Sequence, residues 1–355
     1  MNAAPGSSQR IRELDGWRGI SILFVVVSHV VNYRYLAPGA HESVLAAQLG
    51  TLGVSLFFVI SGFIIARLAL VERERAGAFS AKRFYVRRFF RIVPPFFLYL
   101  ACLHLFSAAG WIAQSPWDTL VAGTFTCNIG QVSCGWFAGH SWSLAFEEQF
   151  YLVFPLIVAV GAAQGTRFVA MVFPVLVVVA AVHLFFHDLG LAGQALVGYT
   201  FSFIFIAAGT FYAANEAVLR RVCEARFAPV LTALAAAVVF GPLFLTTFET
   251  TPLLAEVWTA YLLLAVPFCA GWLVTSASYR DGLFARLLRS VPLQFLGAIS
   301  YSLYIWQQAF LAPTKLYLTD GPLLYPVLAL VVASASYYWI EGPARRLARR
   351  MMTVA

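Results

Sequence analysis

Long apolar segments recur along this 355-residue chain and constrain its fold more than any other feature. Each is about 20 residues long, the length that an α-helix needs to cross the hydrocarbon core of a bilayer. Apolar residues make up 61% of the chain and charged residues 11%, against roughly 45–50% and 25% in soluble domains. The sequence therefore predicts an all-α integral membrane protein of about ten transmembrane helices, at approximately 17–34, 50–70, 93–110, 141–161, 168–186, 195–214, 228–247, 255–276, 291–311 and 322–341.

The cationic residues orient these segments. If the N-terminus is cytoplasmic, only Arg34 and Lys315 of the 24 lysines and arginines fall in outward loops, and the other 22 lie on or near the inner side. This asymmetry predicts that both termini are cytoplasmic. The net charge of +8 then reflects topology, so a nucleic-acid partner is not indicated. We expect a transmembrane domain at 1–345 and a basic cytoplasmic tail at 346–355.

Arg18 and His29 lie on the first apolar segment, eleven residues apart. At about 100° per residue, this spacing is only about 20° more than three full turns, so both side chains share one helix face. A rise of about 1.5 Å per residue separates them by roughly 16 Å, which places the arginine at the membrane surface and the histidine deep inside. An ionisable side chain within a span indicates a functional site. The alternative is a buried histidine that hydrogen-bonds to a backbone carbonyl.

Glu147 and Glu148 lie near the start of the fourth segment, where Ser143, Glu147 and Tyr151 recur at i, i+4 and so share a face. His29 lies roughly 18 Å from the inner end of its helix, and Glu147 lies roughly 9 Å from the outer end of its own, in a core about 30 Å thick. The two groups are therefore predicted at a similar depth. A carboxylate beside an imidazole fixes its tautomer and suits general-base catalysis. The alternative for the glutamates is a structural pair that hydrogen-bonds to neighbouring helices.

A basic segment, AKRFYVRRFFRIVPPFF, follows the second span. In it Arg83, Arg87 and Arg91 recur at i, i+4, with Lys82 and Arg88 adjacent. The two prolines that follow predict the start of the third span. A helix face with stacked guanidinium groups suits bidentate phosphate recognition. Anchoring to anionic lipid headgroups explains the charge equally well.

Polar residues also occur in the last two predicted spans. Gln307 and Gln308 lie within the ninth span, where their amides must find partners or line a wet cavity. Glu341, at the end of the last span, is predicted to pair with Arg345 at i, i+4 as a structural contact.

The cysteines and histidines indicate no metal site. The five cysteines and six histidines never cluster with the spacing of metal ligands. Cys127 and Cys134 share the longest predicted outward loop, where an oxidising compartment permits a disulfide, and the sequence leaves this pairing open.

Taken in order, these motifs resemble those of the acyltransferase 3 family, integral membrane enzymes that acylate carbohydrates and other hydroxylated acceptors. LDGWRGI followed by His29 resembles the family's signature of an arginine, ten residues and a histidine. GVSLFFVISGFII resembles the second-span motif, and RRFFRIVPPFF resembles the basic loop. WSLAFEEQFYLVFP is the most specific stretch, and SYSLYIWQQ and IEGPAR resemble the C-terminal motifs. The resemblance covers nearly the whole chain.

The resemblance implies transfer of an acyl group, usually acetyl, from cytoplasmic acetyl-CoA to a hydroxyl group, in a multi-pass protein of the bacterial inner membrane. It assigns the catalytic histidine to His29, the paired arginine to Arg18 and the motif carboxylate to Glu147. It assigns donor binding to Arg88 and Arg91. Together with the spacing arguments, we expect a donor site formed by Arg83, Arg87, Arg88 and Arg91, and substrate contacts from Trp142, Ser143, Tyr151 and Gln307.

The chain departs from the family pattern in three places. Ser55 stands where an aspartate is frequent, and Gln307 stands where a histidine is frequent. No hydrolase-like domain is expected after the tenth span. The expected acceptor is a surface polysaccharide or a lipid-linked sugar, and a macrolide-type small molecule is the alternative. A transporter or flippase of a polar lipid-linked sugar, with His29 and Glu147 as a proton relay, is a hypothesis of another class, although the sequence lacks the internal symmetry typical of one.

Overall fold

The computed structural model describes residues 10–35, 40–129, 134–164, 193–244, 261–312 and 324–354. Within these ranges the chain contains helices and no strand, which confirms the predicted all-α class. The α-helices are α1 (Arg12–His29), α2 (Ala40–Ala76), α3 (Ala81–Ala108), α4 (Pro116–Gly123), α5 (Gly135–Gly139), α6 (Ser141–Gln164), α7 (Gly193–Ala214), α8 (Glu216–Glu224), α9 (Ala228–Phe240), α10 (Val266–Ser276), α11 (Leu283–Leu288), α12 (Val291–Phe310), α13 (Leu324–Ser336) and α14 (Gly342–Val354). Short π-helical segments lie at Val30–Tyr35, Tyr261–Ala265 and Tyr337–Glu341, and a 3₁₀ turn lies at Gly241–Phe244.

Five helices in the described part of the chain are long and apolar enough to cross a membrane, or six if the bent pair Phe201–Ala214 and Glu216–Glu224 is one span. The predicted count of ten is not confirmed, and the predicted span at 168–186 lies outside the described residues. Helix α12 is not among the five. Its polar side chains lower its hydropathy, and residues 299–308 are buried throughout, so this part of α12 lies in the protein interior.

The basic segment and the third span form one continuous helix, α3. The hydroxyl of Ser80 caps its N-terminus by accepting a hydrogen bond from the backbone N–H of Arg83 (3.3 Å). Pro94 and Pro95 lie inside the helix, so the prediction that a new helix starts at these prolines was wrong, and the start of the span within α3 stays a prediction. The capped turns before them are rich in residues with high helix propensity, and prolines are tolerated within transmembrane helices.

The chain divides into two compact units. The first unit comprises Met1–Ser21, Thr51–Phe79 and Phe150–Gly297, and the second comprises Ile22–Gly50, Ser80–Gln149 and Ala298–Ala355. Helices α1, α2, α6 and α12 contribute residues to both. The predicted domain boundary at residue 345 falls inside α14, in the second unit, and the division into a transmembrane domain and a basic cytoplasmic tail stays a prediction.

Glycines bring α1 against the α11–α12 region within the first unit. A Cβ added at Gly16 would overlap the carbonyl oxygen of Leu288, and one added at Gly19 would overlap that of Leu293. Gly297 of α12 is equally close to the carbonyl oxygen of Asp15. The two glycines of the LDGWRGI motif therefore serve helix packing, for which small residues are required.

A second close approach joins α2 and α7 in the first unit. A Cβ at Gly62 would overlap the carbonyl oxygen of Ile206, and one at Gly209 would overlap that of Val59. Each glycine thus faces the backbone of the other helix, so neither site can relax by turning a side chain.

We expect Gly62→Ala to destabilise the protein by about 1–3 kcal/mol, the usual cost of overpacking, because α2 and α7 must move apart. Thermal unfolding of the purified protein in detergent measures the effect. Gly241→Ala is the matched control, since a Cβ there meets no atom within 4 Å. Equal unfolding temperatures for the two variants would contradict this account.

In the second unit, α3 packs against α4, against α14 and against the π-helical segment Tyr337–Glu341. Glu341 is 1% exposed, accepts a hydrogen bond from the hydroxyl of Ser302 (2.9 Å) and forms the predicted i, i+4 ion pair with Arg345 (3.4 Å). A buried carboxylate is costly unless it is paired, so these contacts fix the end of the last span beside α12.

Cys127 and Cys134 form a disulfide in the second unit, with their Cα atoms 5.9 Å apart. This pairing, which the sequence left open, ties the segment after α4 to the start of α5. Because α5 leads directly into α6, the disulfide anchors the entry to the WSLAFEE motif.

Candidate active site

His29 is the last residue of α1, at the point where the helix changes to the π-helical segment Val30–Tyr35. Its Nδ1 lies 2.6 Å from Oε1 of Gln307 on α12. An amide oxygen can only accept a hydrogen bond, so Nδ1 carries the proton and donates it. In the neutral ring the lone pair then lies on Nε2, which is the atom able to accept a proton from a substrate.

A chain of amide groups holds Gln307 in place. Its side chain is fully buried, and its Nε2 donates to Oε1 of Gln308 (3.4 Å). The Nε2 of Gln308 in turn donates to the backbone carbonyl of Trp136 (2.9 Å). The indole of Trp136 packs against the imidazole of His29, with the ring centroids 6.4 Å apart. Of the two predicted alternatives, partners or a wet cavity, both glutamines have partners, and Trp136 links the last of them back to His29.

His140, which was not among the residues predicted from the sequence, lies at the end of α5, four residues after Trp136. Its ring is 4% exposed and packs edge-on between Tyr99 and Tyr304, at centroid distances of 5.6 and 5.4 Å. Among the described residues, neither of its ring nitrogens has a hydrogen-bond partner. The sequence signal was its position directly before the WSLAFEE motif.

Ser143 is buried one turn into α6, and its hydroxyl lies 2.6 Å from that of Tyr304. The Tyr304 hydroxyl also donates to the backbone carbonyl of His140 (3.0 Å). Two hydroxyl groups and a backbone carbonyl therefore converge beside the His140 ring in the second unit.

The structure places the other predicted substrate and carboxylate residues along α6. Glu147 is half-buried one turn after Ser143, and Trp142 is 36% exposed with its ring edge-on to Phe146 (5.9 Å). Tyr151 belongs to the first unit, where its hydroxyl lies 2.6 Å from that of Ser61. The single helix Ser141–Gln164 confirms that the i, i+4 residues share a face, but their roles stay predictions.

Arg18 is half-buried in α1 and belongs to the first unit. Because α1 is α-helical from Arg12 to His29, the prediction that Arg18 and His29 share one helix face is confirmed.

The predicted donor arginines all lie on α3 in the second unit, which also contains His29. Arg83 is exposed, whereas Arg87, Arg88 and Arg91 are half-buried. The guanidinium of Arg88 lies over the ring of Phe84, 5.8 Å from its centroid. The helix confirms the i, i+4 spacing of the arginines, and phosphate binding by them stays a prediction.

Comparison with known proteins places the chain in a family. A family model described as an acyltransferase domain, that of the acyltransferase 3 family, matches residues 11–340. The O-acetyltransferase OatA of Staphylococcus aureus, in strains NCTC 8325 and COL, is 25% identical to this chain. The match covers 94% of this chain and 57% of the OatA sequence. A Staphylococcus aureus strain COL protein that is provisionally named an O-acetyltransferase is 24% identical, with the same coverage.

The chain spans about half the length of the curated relatives that it matches. No solved structure matches it significantly. Because the family model covers more than nine-tenths of the residues, from the start of α1 to the end of the last span, the chain belongs to the acyltransferase 3 family.

Proposed function

We propose that this protein is a membrane O-acetyltransferase that moves an acetyl group from acetyl-CoA to a hydroxyl group of a carbohydrate, either a surface polysaccharide or a lipid-linked sugar. Family membership and the names of the relatives support acyl transfer. In this proposal the protein lies in the bacterial cytoplasmic membrane with both termini in the cytoplasm, as the distribution of cationic residues indicates.

The observation that carries the proposal is the hydrogen bond between His29 and Gln307. It leaves Nε2 as the basic nitrogen of a ring that buried neighbours hold in place. The acceptor hydroxyl gives its proton to Nε2 while its oxygen attacks the thioester carbonyl carbon. A C–O bond forms, the C–S bond breaks, and the proton passes from Nε2 to the leaving sulfur of coenzyme A. The amide oxygen of Gln307 stabilises the transient imidazolium.

The distance between His29 and the basic segment suits the donor. The hydroxyl of Tyr301 on α12 donates to the backbone carbonyl of Ile92 on α3 (2.8 Å). These two residues therefore lie at the same level, that is, at a similar height along the helix axes. Gln307 is six residues beyond Tyr301, and Arg88 is four residues before Ile92, which together amount to about 15 Å along the helices. The pantetheine arm of coenzyme A has about as many backbone bonds as four residues of peptide and reaches about 14 Å.

Other polar groups have more limited roles in this mechanism. In this proposal Gln307 positions the base through its amide oxygen, while one of its two amide N–H groups donates to Gln308. The hydroxyls of Ser143 and Tyr304, which lie 2.6 Å apart, are proposed as donors to the developing oxyanion. Glu147 is proposed to add to the stabilisation of the imidazolium.

We expect the purified protein to transfer label from radioactive acetyl-CoA to a hydroxyl of a glycan in a cell-envelope extract. Mild base should release the label, because an ester is cleaved under these conditions and an amide is not. Identification of the labelled product would define the acceptor. Absence of base-labile label from the glycan and lipid-linked sugar fractions, with a folded protein, would contradict the proposal.

A further inference from the structure

Helix α14 packs against α3, and both helices are strongly basic. We call the cationic side chains on these two helices the α3–α14 surface. Its members belong to the second unit and are Lys82, Arg83, Arg87, Arg88, Arg91, Arg345, Arg346, Arg349 and Arg350. The predicted donor site contains only the α3 members, so the role of α14 is open.

Hydrogen bonds set the level at which α14 begins. Glu341, the residue before α14, accepts a hydrogen bond from the hydroxyl of Ser302. The neighbouring Tyr301 donates a hydrogen bond to the backbone carbonyl of Ile92 on α3. Beyond Ile92, α3 packs against α4 and, through Tyr99, against the rings of His140 and Trp306. We infer that α14 packs along the opposite, Arg-rich end of α3.

The direction of the helices then gives the depth of each arginine. Helices α3 and α12 run the same way, since Tyr301 contacts Ile92 and Trp306 contacts Tyr99. Residues beyond Glu341 therefore lie progressively farther from the level of His29. Gln307, which contacts His29, is five residues past Ser302, whereas Arg345 and Arg349 are four and eight residues past Glu341. At about 1.5 Å per residue, Arg345 therefore lies about 14 Å and Arg349 about 20 Å from the level of His29, measured along the helix axes.

The faces of α14 are distinct. Ala348 is 3% exposed and marks the packed face, whereas Leu347 and Met351 are each 49% exposed on one edge. Arg345 and Arg349, at i and i+4, share the other edge. The apolar edge suits lipid, whereas the arginine edge, where Arg345 is paired with Glu341, carries the charge that suits a polar ligand.

We propose that α14 completes the donor site by binding the ribose 3′-phosphate of coenzyme A, while the arginines nearest Ile92 hold its diphosphate. This proposal rests on the acyl-CoA dependence proposed above. The diphosphate ends the pantetheine arm, about 14 Å from the thioester, which is the level of Arg88 and Arg345. The 3′-phosphate lies one ribose farther from the thioester, in the direction of Arg349 and Arg350. Guanidinium groups bind phosphate in a bidentate manner.

Lipid headgroups present the same phosphate chemistry, but they differ from coenzyme A in one testable respect. A surface that only attracts anionic lipid should bind coenzyme A and 3′-dephospho-coenzyme A with affinities that differ only because their total charges differ. A site built for the 3′-phosphate loses that one contact when its arginines are removed.

The test is calorimetric titration of the full-length protein in phosphatidylcholine nanodiscs with coenzyme A and with 3′-dephospho-coenzyme A. We expect Arg349→Gln/Arg350→Gln to weaken coenzyme A binding about tenfold or more and to leave binding of the dephospho compound unchanged. Arg349→Lys/Arg350→Lys should retain part of the preference for coenzyme A. The matched control is Arg221→Gln/Arg226→Gln, which removes two exposed arginines of the first unit and should change neither affinity.

Several outcomes would overturn the proposal. One is an unchanged affinity for coenzyme A, and another is an equal loss for both compounds. A third is an unchanged affinity for coenzyme A together with weaker binding to phosphatidylglycerol vesicles, which would assign α14 to lipid headgroups. Binding is measured without turnover, so wild-type protein that shows the expected preference but transfers no acetyl group would refute the enzymatic function and leave this inference standing.

Discussion

Alanine at position 29 is expected to reduce acetyl transfer by about 10²–10⁴-fold, the usual contribution of a positioned general base. The imidazole of His29 is held by Gln307 through Nδ1 and packs against Trp136, so Nε2 has a defined orientation. Alanine removes this base and leaves the α3 arginines in place. The measurement is the initial rate of label transfer from acetyl-CoA, with donor binding determined separately by calorimetry.

His104→Ala is the matched control for this variant. His104 is an exposed histidine of the second unit on α3, and its loss should leave the rate within about twofold of the wild-type rate. Coenzyme A affinity should be unchanged in His29→Ala, because that residue lies about 15 Å from the phosphate-binding level. A folded His29→Ala protein with the wild-type rate would refute the catalytic assignment.

The same protein distinguishes two chemical routes. If His29 acts as a nucleophile, single turnover with labelled acetyl-CoA and no acceptor should leave label on the wild-type protein and none on His29→Ala. If His29 acts as the general base proposed here, neither protein should retain label.

The sequence was sufficient for the helical class, because long apolar segments must satisfy their backbone groups internally in a membrane. It misjudged α3, since the two prolines were interpreted as a boundary, whereas the capped basic turns before them continue into the span. It also counted α12 as a membrane span, which the structure does not confirm. The glutamine, serine and tyrosine side chains of α12 are satisfied by other parts of the protein, and a hydropathy pattern does not reveal where those partners lie.

The site was predictable in part. His29 stood out because a titratable residue in an apolar helix requires a reason, and the i, i+4 arginines of α3 were visible from spacing alone. The Nδ1 partner of His29 was not, because Gln307 is 278 residues away and depends on the packing of two helices. The pairing of Glu147 with His29 stays a prediction, because depth compares positions along each helix and does not show which helices are neighbours. His140 was missed for the same reason, since its aromatic enclosure comes from α3 and α12.

Gln307→Leu is expected to lower kcat by about 10- to 100-fold and to leave the KM for acetyl-CoA unchanged. Leucine is similar in size but cannot accept the Nδ1 proton, so the His29 ring loses its preferred tautomer and a buried donor is left unsatisfied. That loss costs about 1–3 kcal/mol, or about 5- to 160-fold in rate, a range that includes the expected decrease. Gln307→Glu keeps an acceptor at the same position and should restore the rate to within about tenfold of wild type.

The alternative for Gln307 is a structural role in packing α12, and the paired variants separate the two. Gln308→Leu is the comparison, because it removes the amide that supports Gln307 while leaving Gln307 itself to bond with His29. A positioning role predicts a smaller loss of kcat in Gln308→Leu than in Gln307→Leu at matched thermal stability. Equal losses of activity in Gln307→Leu and Gln307→Glu would contradict a positioning role for Gln307. A loss of kcat that is fully explained by a lower unfolding temperature of the variant would contradict it as well. Recovery with glutamate and no recovery with leucine would establish that the proton on Nδ1, and so the lone pair on Nε2, is set by residue 307.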